Sequence, residues 1–488
     1  MTRLLWVLVA TWLALVSGAK AAPFPDIVLT GQVTEADREH YLELPFEVPV
    51  NVTSLKIAFS HDGKPQRTTL DLGLADPVQF RGWSGGERST FQIATSAATP
   101  SYLAGPLASG TWHLIIGVPN IRPGVTTSYR AQITLGAAAD LAPVQTPLKA
   151  GPGWYRGDLH SHSAHSDGRC PNVSAVVAPC PVFRVVEAAA SRHLDFLVLS
   201  DHNTLSQAAQ IGELQPYFDQ TLLIPGEELT TFRGHAGAVG VSEPIDFRIG
   251  GTHAASVNGM INAVHRAGGI FVINHPTLPS GEVCMGCGWT FADTDYAQVD
   301  GIEVVNGGTL ALTKAADGPF SGLGFWRALL DKGYHLTGVG GSDSHSANPG
   351  VPTTVVHAES LSIAGILHGL KAGHVFVDVD GTADRLLDVT VSDRDGSWQM
   401  GDVVPIRRGQ TRPIKLHVLG AAGGTIELLG NGQRPATRTT APLLTSDDTV
   451  EYRLTGDGQD RWFQVQVRDV QGRLILIGNP IYLVGPRR

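Results

Sequence analysis

The residues with chemical capability crowd into the middle of the chain. Fourteen of the 18 histidines lie between positions 160 and 374, and five of them stand in short motifs with carboxylates or amides. His160-Ser-His162 precedes Ser166-Asp167-Gly168, followed by Ser200-Asp201-His202, Gly226-Glu227-Glu228, Asn274-His275-Pro276 and Ser342-Asp343-Ser344-His345. On extended backbone side chains repeat with period two, so His160 and His162 share a face, as do Asp343 and His345. Either pair can chelate one ion. A lone histidine after a strand is more often a satisfied polar residue than a ligand, and it is the repetition that points to a metal centre. Imidazole with carboxylate and no thiolate suits Zn, Mn or Fe rather than Cu(I) or an iron–sulfur cluster. So many candidate ligands exceed the needs of one ion and imply two or three.

Short apolar runs lead into these motifs. Leu194–Leu199, Thr221–Ile224, Ile270–Ile273 and Tyr334–Val339 each read as a strand, and a further short strand ends at Asp158. Helical patterns alternate with them over Val182–Leu194, Ser256–Gly268, Gly322–Gly333 and Ser362–Ala372. Alternation of this kind predicts parallel strands joined by crossover helices over 154–380, with polar groups from several strands converging at one end. Both flanks have β texture. Residues 22–137, with runs such as Leu42–Val50, Leu55–Ser60, Trp112–Gly117 and Tyr129–Leu135, and residues 386–488 read as β-sandwich domains. The stretch 138–153 reads as a linker.

Composition agrees. The 488 residues include 57 glycines and 30 prolines, and charged residues are only 17%, against about 25% in an average domain. That balance favours turn-rich β architecture. A net charge of -9 gives no electrostatic footprint for DNA or RNA as a bulk partner. Arg3, the apolar run Leu4–Val16 and Ala19-Lys20-Ala21 form a signal peptide over 1–21. No later apolar stretch is long enough to span a membrane. Export to a periplasmic or extracellular location is therefore expected. In that setting Cys170, Cys180, Cys284 and Cys287 are expected as two local disulfides, 170–180 and 284–287, with a structural zinc site at Cys284-x-x-Cys287 as the rival.

Taken in order, His160-Ser-His162 with Asp167, Asp201-His202, Pro225-Gly226-x-Glu228, Asn274-His275-Pro276 and Asp343-Ser-His345 resemble the polymerase and histidinol phosphatase (PHP) metal-dependent hydrolases. The resemblance covers 154–380. A weaker likeness at Phe80-Arg81-Gly82-Trp83-Ser84-Gly85 and Asn479-Pro480-Ile481-Tyr482 points to the carbaryl-hydrolase-like (CehA/McbA) branch. The resemblance implies an α/β fold, a distorted (βα)7 PHP barrel flanked by β-sandwiches, and a site of two to three divalent ions. By that pattern His160, His162, Glu228 and Asp343 hold one ion, and Glu228, His235 and His275 a second. Asp167, His202 and His345 hold the third. Glu227 and Glu228 are both candidates on residue type, and the family spacing selects Glu228. Asp201, Asn203 and Asn274 are expected to orient imidazoles or touch substrate, with Arg233 and His165 as further substrate contacts. Arg184 and Arg266 fall within helical patterns and read as solvated.

A bridged metal pair lowers the pKa of water and clamps developing charge. The resemblance then implies a metal-bridging hydroxide as nucleophile and a small-molecule ester as substrate. Phosphoric esters come first, carboxylic or carbamic esters second. A non-catalytic, metal-stabilised binding protein is the third reading, with the β flanks contacting glycans or the cell envelope.

Overall fold

The computed structural model describes residues 24–95, 98–136, 146–250, 256–281, 284–430 and 440–485. The expected signal peptide and the first half of the expected linker lie outside the described residues. The chain is mixed α/β and strand-rich, with six α-helices among the described residues. It divides into two compact units, residues 1–91 with 108–137, and residues 92–107 with 138–488.

The first unit carries two antiparallel sheets. One orders the strands Ile27–Val33, Thr127–Gly136 and Ser54–His61, the other Tyr41–Val48, Gly110–Asn120, Thr69–Ala75 and Phe80–Gly85. Alternate residues turn inward, as the period of a strand requires. Leu55 and Ile57 are buried in one sheet, and Trp112, Leu114 and Ile116 in the other. Arg81 is buried against Asp76 at 3.0 Å.

The second unit is built on one long sheet. Its strands are β1 (Lys149–Asp158), β2 (Phe196–Leu199), β3 (Leu222–Thr231), β4 (Gly234–Val239), β5 (Ile270–Ile273), β6 (Gly301–Asn306), β7 (Thr337–Gly341), β8 (Thr353–Leu361) and β9 (Val375–Asp378). They lie in the order β7-β6-β5-β4-β3-β2-β1-β8-β9. Junctions β1–β2, β2–β3, β5–β6 and β6–β7 are parallel, whereas β3–β4, β4–β5, β1–β8 and β8–β9 are antiparallel. The sheet is thus mixed, not uniformly parallel. β3 runs past the expected end at Ile224 to Thr231 and returns directly as β4, which leaves no room for a crossover helix. Nor is 138–153 a linker throughout, because β1 begins at Lys149 and pairs with β8.

The ends of this path meet. Thr354 Oγ1 of β8 accepts from Gly340 N of β7 at 2.8 Å and donates to Gly340 O at 2.6 Å. Asn479 Oδ1 accepts from Gly338 N at 2.7 Å, and its Nδ2 reaches Gly338 O and Val375 O. Side chains, rather than a backbone ladder, close the seam between β7 and the strands β8 and β9.

Helices cover the sheet where the 3.6-residue pattern predicts them. Helix α1 (Val182–Ser191) buries Val182, Val185, Val186 and Ala189. The sequence-based pattern did not single out α2 (Ala208–Leu214) or the short helix Gly307–Thr313. Helix α3 (Val257–Arg266) is capped by Ser256, whose hydroxyl accepts from Gly259 N at 3.1 Å. Next come α4 (Gly307–Thr313), capped by Asn306, then α5 (Leu323–Leu330) and α6 (Ile363–Ala372), capped by Ser362. Each cap satisfies a backbone donor that the first turn leaves free.

Residues from 386 onward do not break away as a separate body. Strand Leu474–Gly478 pairs with β9 and continues the long sheet into Arg461–Arg468 and Thr425–Gly430. One core joins Val355 and Phe376 to Leu387, Leu416 and Val465. A four-stranded antiparallel sheet, Gly396–Gln399, Leu386–Asp393, Thr411–Leu419 and Asp447–Thr455, lies alongside.

Candidate metal centre

The centre forms at the ends of β1, β2, β5 and β7 and along the β3–β4 hairpin, which carries Glu228 and His235. Asp158 closes β1, fully buried, and its carboxylate accepts from His160 N, Ser342 N and Gly350 N. That carboxylate ties the His160 and Asp343 segments together. His160 and His162 lie on one side with ring centroids 5.1 Å apart, while Ser161 between them donates to Val198 O. Asp343 N donates to His160 O. Asp343 (φ 53°) and His275 (φ 26°) both have left-handed backbone, a strain that persists only where surroundings impose it.

Glu228 is the hub. One of its oxygens lies 3.2 Å from His160 Nε2, 3.2 Å from His275 Nε2 and 3.5 Å from His235 Nδ1. The other lies 2.9 Å from His202 Nδ1 and 3.6 Å from His162 Nε2. Asp343 Oδ1 approaches His162 Nε2 at 3.2 Å and His160 Nε2 at 3.4 Å. Asp167 Oδ1 lies 3.3 Å from His345 Nε2 and 3.6 Å from His202 Nε2. All nine expected ligands therefore converge. They fall into overlapping groups that could each hold an ion: His162, Asp167, His202 and His345; His160, His162 and Glu228; His160, His275 and Asp343; Glu228, His235 and His275. His162 thus stands between the first and third expected subsets.

The donor chemistry fits a cation. His160 Nε2, His162 Nδ1, His275 Nδ1 and Glu228 Oε2 are buried with no hydrogen-bond partner among the described residues. Buried polar atoms normally find one. Burial alone would raise the Glu228 carboxyl, yet the surrounding imidazoles hold it well below the usual range. Burial alone would lower His160, but Glu228, Asp343 and Glu303 hold it well above. His345 is pushed up to about 9 by Asp167 and Asp343 against its burial, and Asp167 falls to about 2. Without an ion the cluster needs protons to balance its carboxylates, and a divalent cation would take their place.

Two groups that hold the centre escaped the sequence reading. Glu303, buried in β6, faces His160 Nδ1 at 3.1 Å and accepts from His275 N and Asn306 Nδ2. That contact directs His160 Nε2 into the cluster, the usual role of a carboxylate behind a ligating histidine. Asn306 Nδ2 also reaches Asp343 Oδ2 at 3.2 Å. A carboxylate inside the apolar run Gly301-Ile-Glu-Val-Val-Asn306 was the available signal. On the far side, His235 Nε2 faces Met285 O at 3.1 Å and its Nδ1 lies 3.9 Å from Cys287 Sγ. A carbonyl only accepts, so Nε2 carries the proton and Nδ1 is left for the centre.

The remaining expected residues serve differently. Asn274 Nδ2 donates to Glu228 Oε1 at 3.0 Å, so it steadies the carboxylate, not an imidazole. Asp201 accepts from Ser163 N, Ser163 Oγ and Ser166 Oγ, which fixes the loop leading to Asp167. Asn203 pairs with both backbone groups of Thr230. Of these three, Asn274 supports an expected ligand directly, while Asp201 and Asn203 hold the backbone and hydroxyls of the segments that carry Asp167 and Glu228. Arg233 is turned away, its guanidinium 4.8 Å over the Phe291 ring and bonded to Thr290 O. His165 Nδ1 meets Ser206 Oγ at 2.6 Å. Glu227 points away from Glu228 and accepts from Ile245 N, and burial raises its carboxyl to about 7.

Both cysteine pairs are local, Cys170 with Cys180 and Cys284 with Cys287. No described helix is long and apolar enough to cross a membrane. No family model and no curated protein matches the chain.

Proposed function

We propose that the chain is an exported metal-dependent hydrolase of the PHP type, acting on phosphoric esters at a site of two to three divalent ions. The observation that carries this reading is the convergence of nine imidazole and carboxylate side chains, Glu228 at their centre, from six strands of one sheet and the loops that follow them. The curled sheet whose ends meet at Thr354 and Asn479 supports the distorted-barrel reading. Bound there, divalent ions supply Lewis acidity and make water a nucleophile near neutral pH. The protein's own part is geometric. Glu228 offers one carboxylate to two ligand groups, Glu303 and Met285 O fix which nitrogen His160 and His235 present, and Asp158 sets the spacing of two strand ends.

Carboxylic or carbamic esters are the second reading. The observation favouring it is that Arg233, the expected phosphate contact, is spent on Phe291 and Thr290. The experiment is elemental analysis of the purified mature protein, with parallel assays on p-nitrophenyl phosphate, bis-p-nitrophenyl phosphate and p-nitrophenyl acetate. More than one equivalent of transition metal and chelator-sensitive phosphatase activity is expected. Activity on the acetate alone would reverse the ranking, and full activity of a verified metal-free sample would remove the metal from the reaction.

A further inference from the structure

A cavity of about 810 Å³ opens beside Asp343 and His345, within the size range of small-molecule sites. One side is apolar, with Leu310 and Val379, and the β6–α4 junction forms another part of its wall. Four further charged residues line it, and three are already paired. Asp317 lies 2.7 Å from Arg468, Asp380 2.7 Å from Arg385, and Arg473 2.7 Å from Asp469. Lys314 is the fourth. It is exposed, and among the described residues its ammonium has no carboxylate within ion-pair distance.

We propose that this cavity is the substrate pocket and that Lys314 binds the anionic group of the substrate, making the site selective for anionic esters with an apolar leaving group. The proposal rests on the hydrolase reading and names its substrate class. A lysine is a phosphate binder as a point charge, without the fixed fork an arginine needs. Lys314 thus supplies the cation that Arg233 does not. Its place follows from the fold: Asn306 caps α4 at one end while its amide holds Asp343, and α4 ends at Lys314 in left-handed conformation. A basic residue after a helix is also favoured by the helix dipole alone. A lysine placed only for that reason would not affect substrate affinity.

The test uses the full mature protein loaded with metal, as wild type, Lys314→Ala and Lys314→Arg. KM and kcat are measured on p-nitrophenyl phosphate and p-nitrophenyl acetate, and inorganic phosphate binding is measured by calorimetry. Losing one charge-assisted contact should weaken phosphate binding and raise KM for the phosphate ester roughly tenfold in Lys314→Ala. The acetate should be unaffected, and Lys314→Arg should restore most of the affinity. Unchanged phosphate affinity in Lys314→Ala, or an equal loss on the neutral acetate, would overturn the proposal. A wild type that hydrolyses neither ester would defeat the hydrolase reading separately. Calorimetry then decides the pocket, because phosphate binding lost in Lys314→Ala sustains it and equal binding overturns it.

Discussion

Glu227 and Glu228 are consecutive in β3 and face opposite sides of it. Glu228 meets the imidazoles of His160, His202, His235 and His275, whereas Glu227 accepts from Ile245 N outside the cluster. Glu228→Gln keeps the shape and removes the charge that would hold two cations close. It should cost at least one metal equivalent and about a hundredfold or more in kcat, beyond what a supporting residue costs. Glu227→Gln should retain metal and most activity. Elemental analysis with kcat of both variants checks this, and a crippled Glu227→Gln beside a healthy Glu228→Gln would reverse the assignment.

His202 belongs to the outer group with Asp167, His345 and His162. His202→Ala should lose one ion and keep those held by His160, His235 and His275. Because His202 Nδ1 also lies 2.9 Å from Glu228, a modest loosening of the remaining metals is expected as well. Metal stoichiometry at increasing chelator concentration separates the two effects. Simultaneous loss of every ion would mean that the groups form one indivisible cluster.

Glu303 touches His160 and the His275 backbone without joining the ligand groups itself. Glu303→Gln should weaken metal affinity about 10- to 100-fold, the usual cost of losing a carboxylate behind a ligating histidine. Chelator competition measures it. With metal in excess, kcat should recover most of its value, which Glu228→Gln should not.

The sequence revealed the site better than the fold that holds it. Candidate ligands such as His160 and His162 are legible because a metal centre would require particular atom types at a period-two spacing, and few other roles demand both. Strand Ile270–Ile273 and the helices capped by Ser256 and Ser362 were legible for the same local reason. Strand β4 was not, because Gly234-His-Ala-Gly-Ala-Val239 has small residues on both faces and no alternation to read. Its antiparallel turn after β3 is a tertiary choice. Glu303 was hidden likewise, since a buried carboxylate gains meaning only from the imidazole it faces. The continuity of β9 with Leu474–Gly478 depends on residues almost one hundred positions apart, which no local pattern encodes.

Asp388 offers a pH test away from the metal centre. It lies half-buried in strand Leu386–Asp393 opposite His417, and burial raises its carboxyl despite His357, His417 and Lys415 nearby. The native state therefore holds this proton more tightly than the unfolded chain. Stability should fall as pH rises from the ordinary carboxylate value of about 4 through the raised native one, and the penalty is full above it. Asp388→Asn should then be more stable than wild type at pH 7, with the gap closing below pH 4. Denaturant midpoints across that range decide it. A constant gap would place the effect in packing and not in ionisation.

Asn479 joins the stability of the fold to the geometry of the centre. Its side chain satisfies Gly338 N, Gly338 O and Val375 O, three buried backbone groups on β7 and β9. Asn479→Ala leaves Gly338 N and Gly338 O unpaired, while Val375 O keeps the backbone N–H of residue 479, at about 2 kcal/mol. Thr354→Val removes the second tie across the same seam, between β8 and Gly340, and should cost about half as much. β7 also leads into Ser342 and Asp343, which lies within 3.4 Å of both His160 and His162. An opened seam lets Asp343 drift, so metal affinity should fall together with stability in Asn479→Ala. Since metal binds only the folded chain, excess metal should recover part of the lost melting temperature. Asn479→Asp serves as the sharper control, because its carboxylate cannot donate to either carbonyl and should be at least as damaging as alanine. Thermal melts and chelator competition on the same samples test both halves. If stability falls while metal affinity stays at the wild-type value, the seam supports the sheet without positioning Asp343.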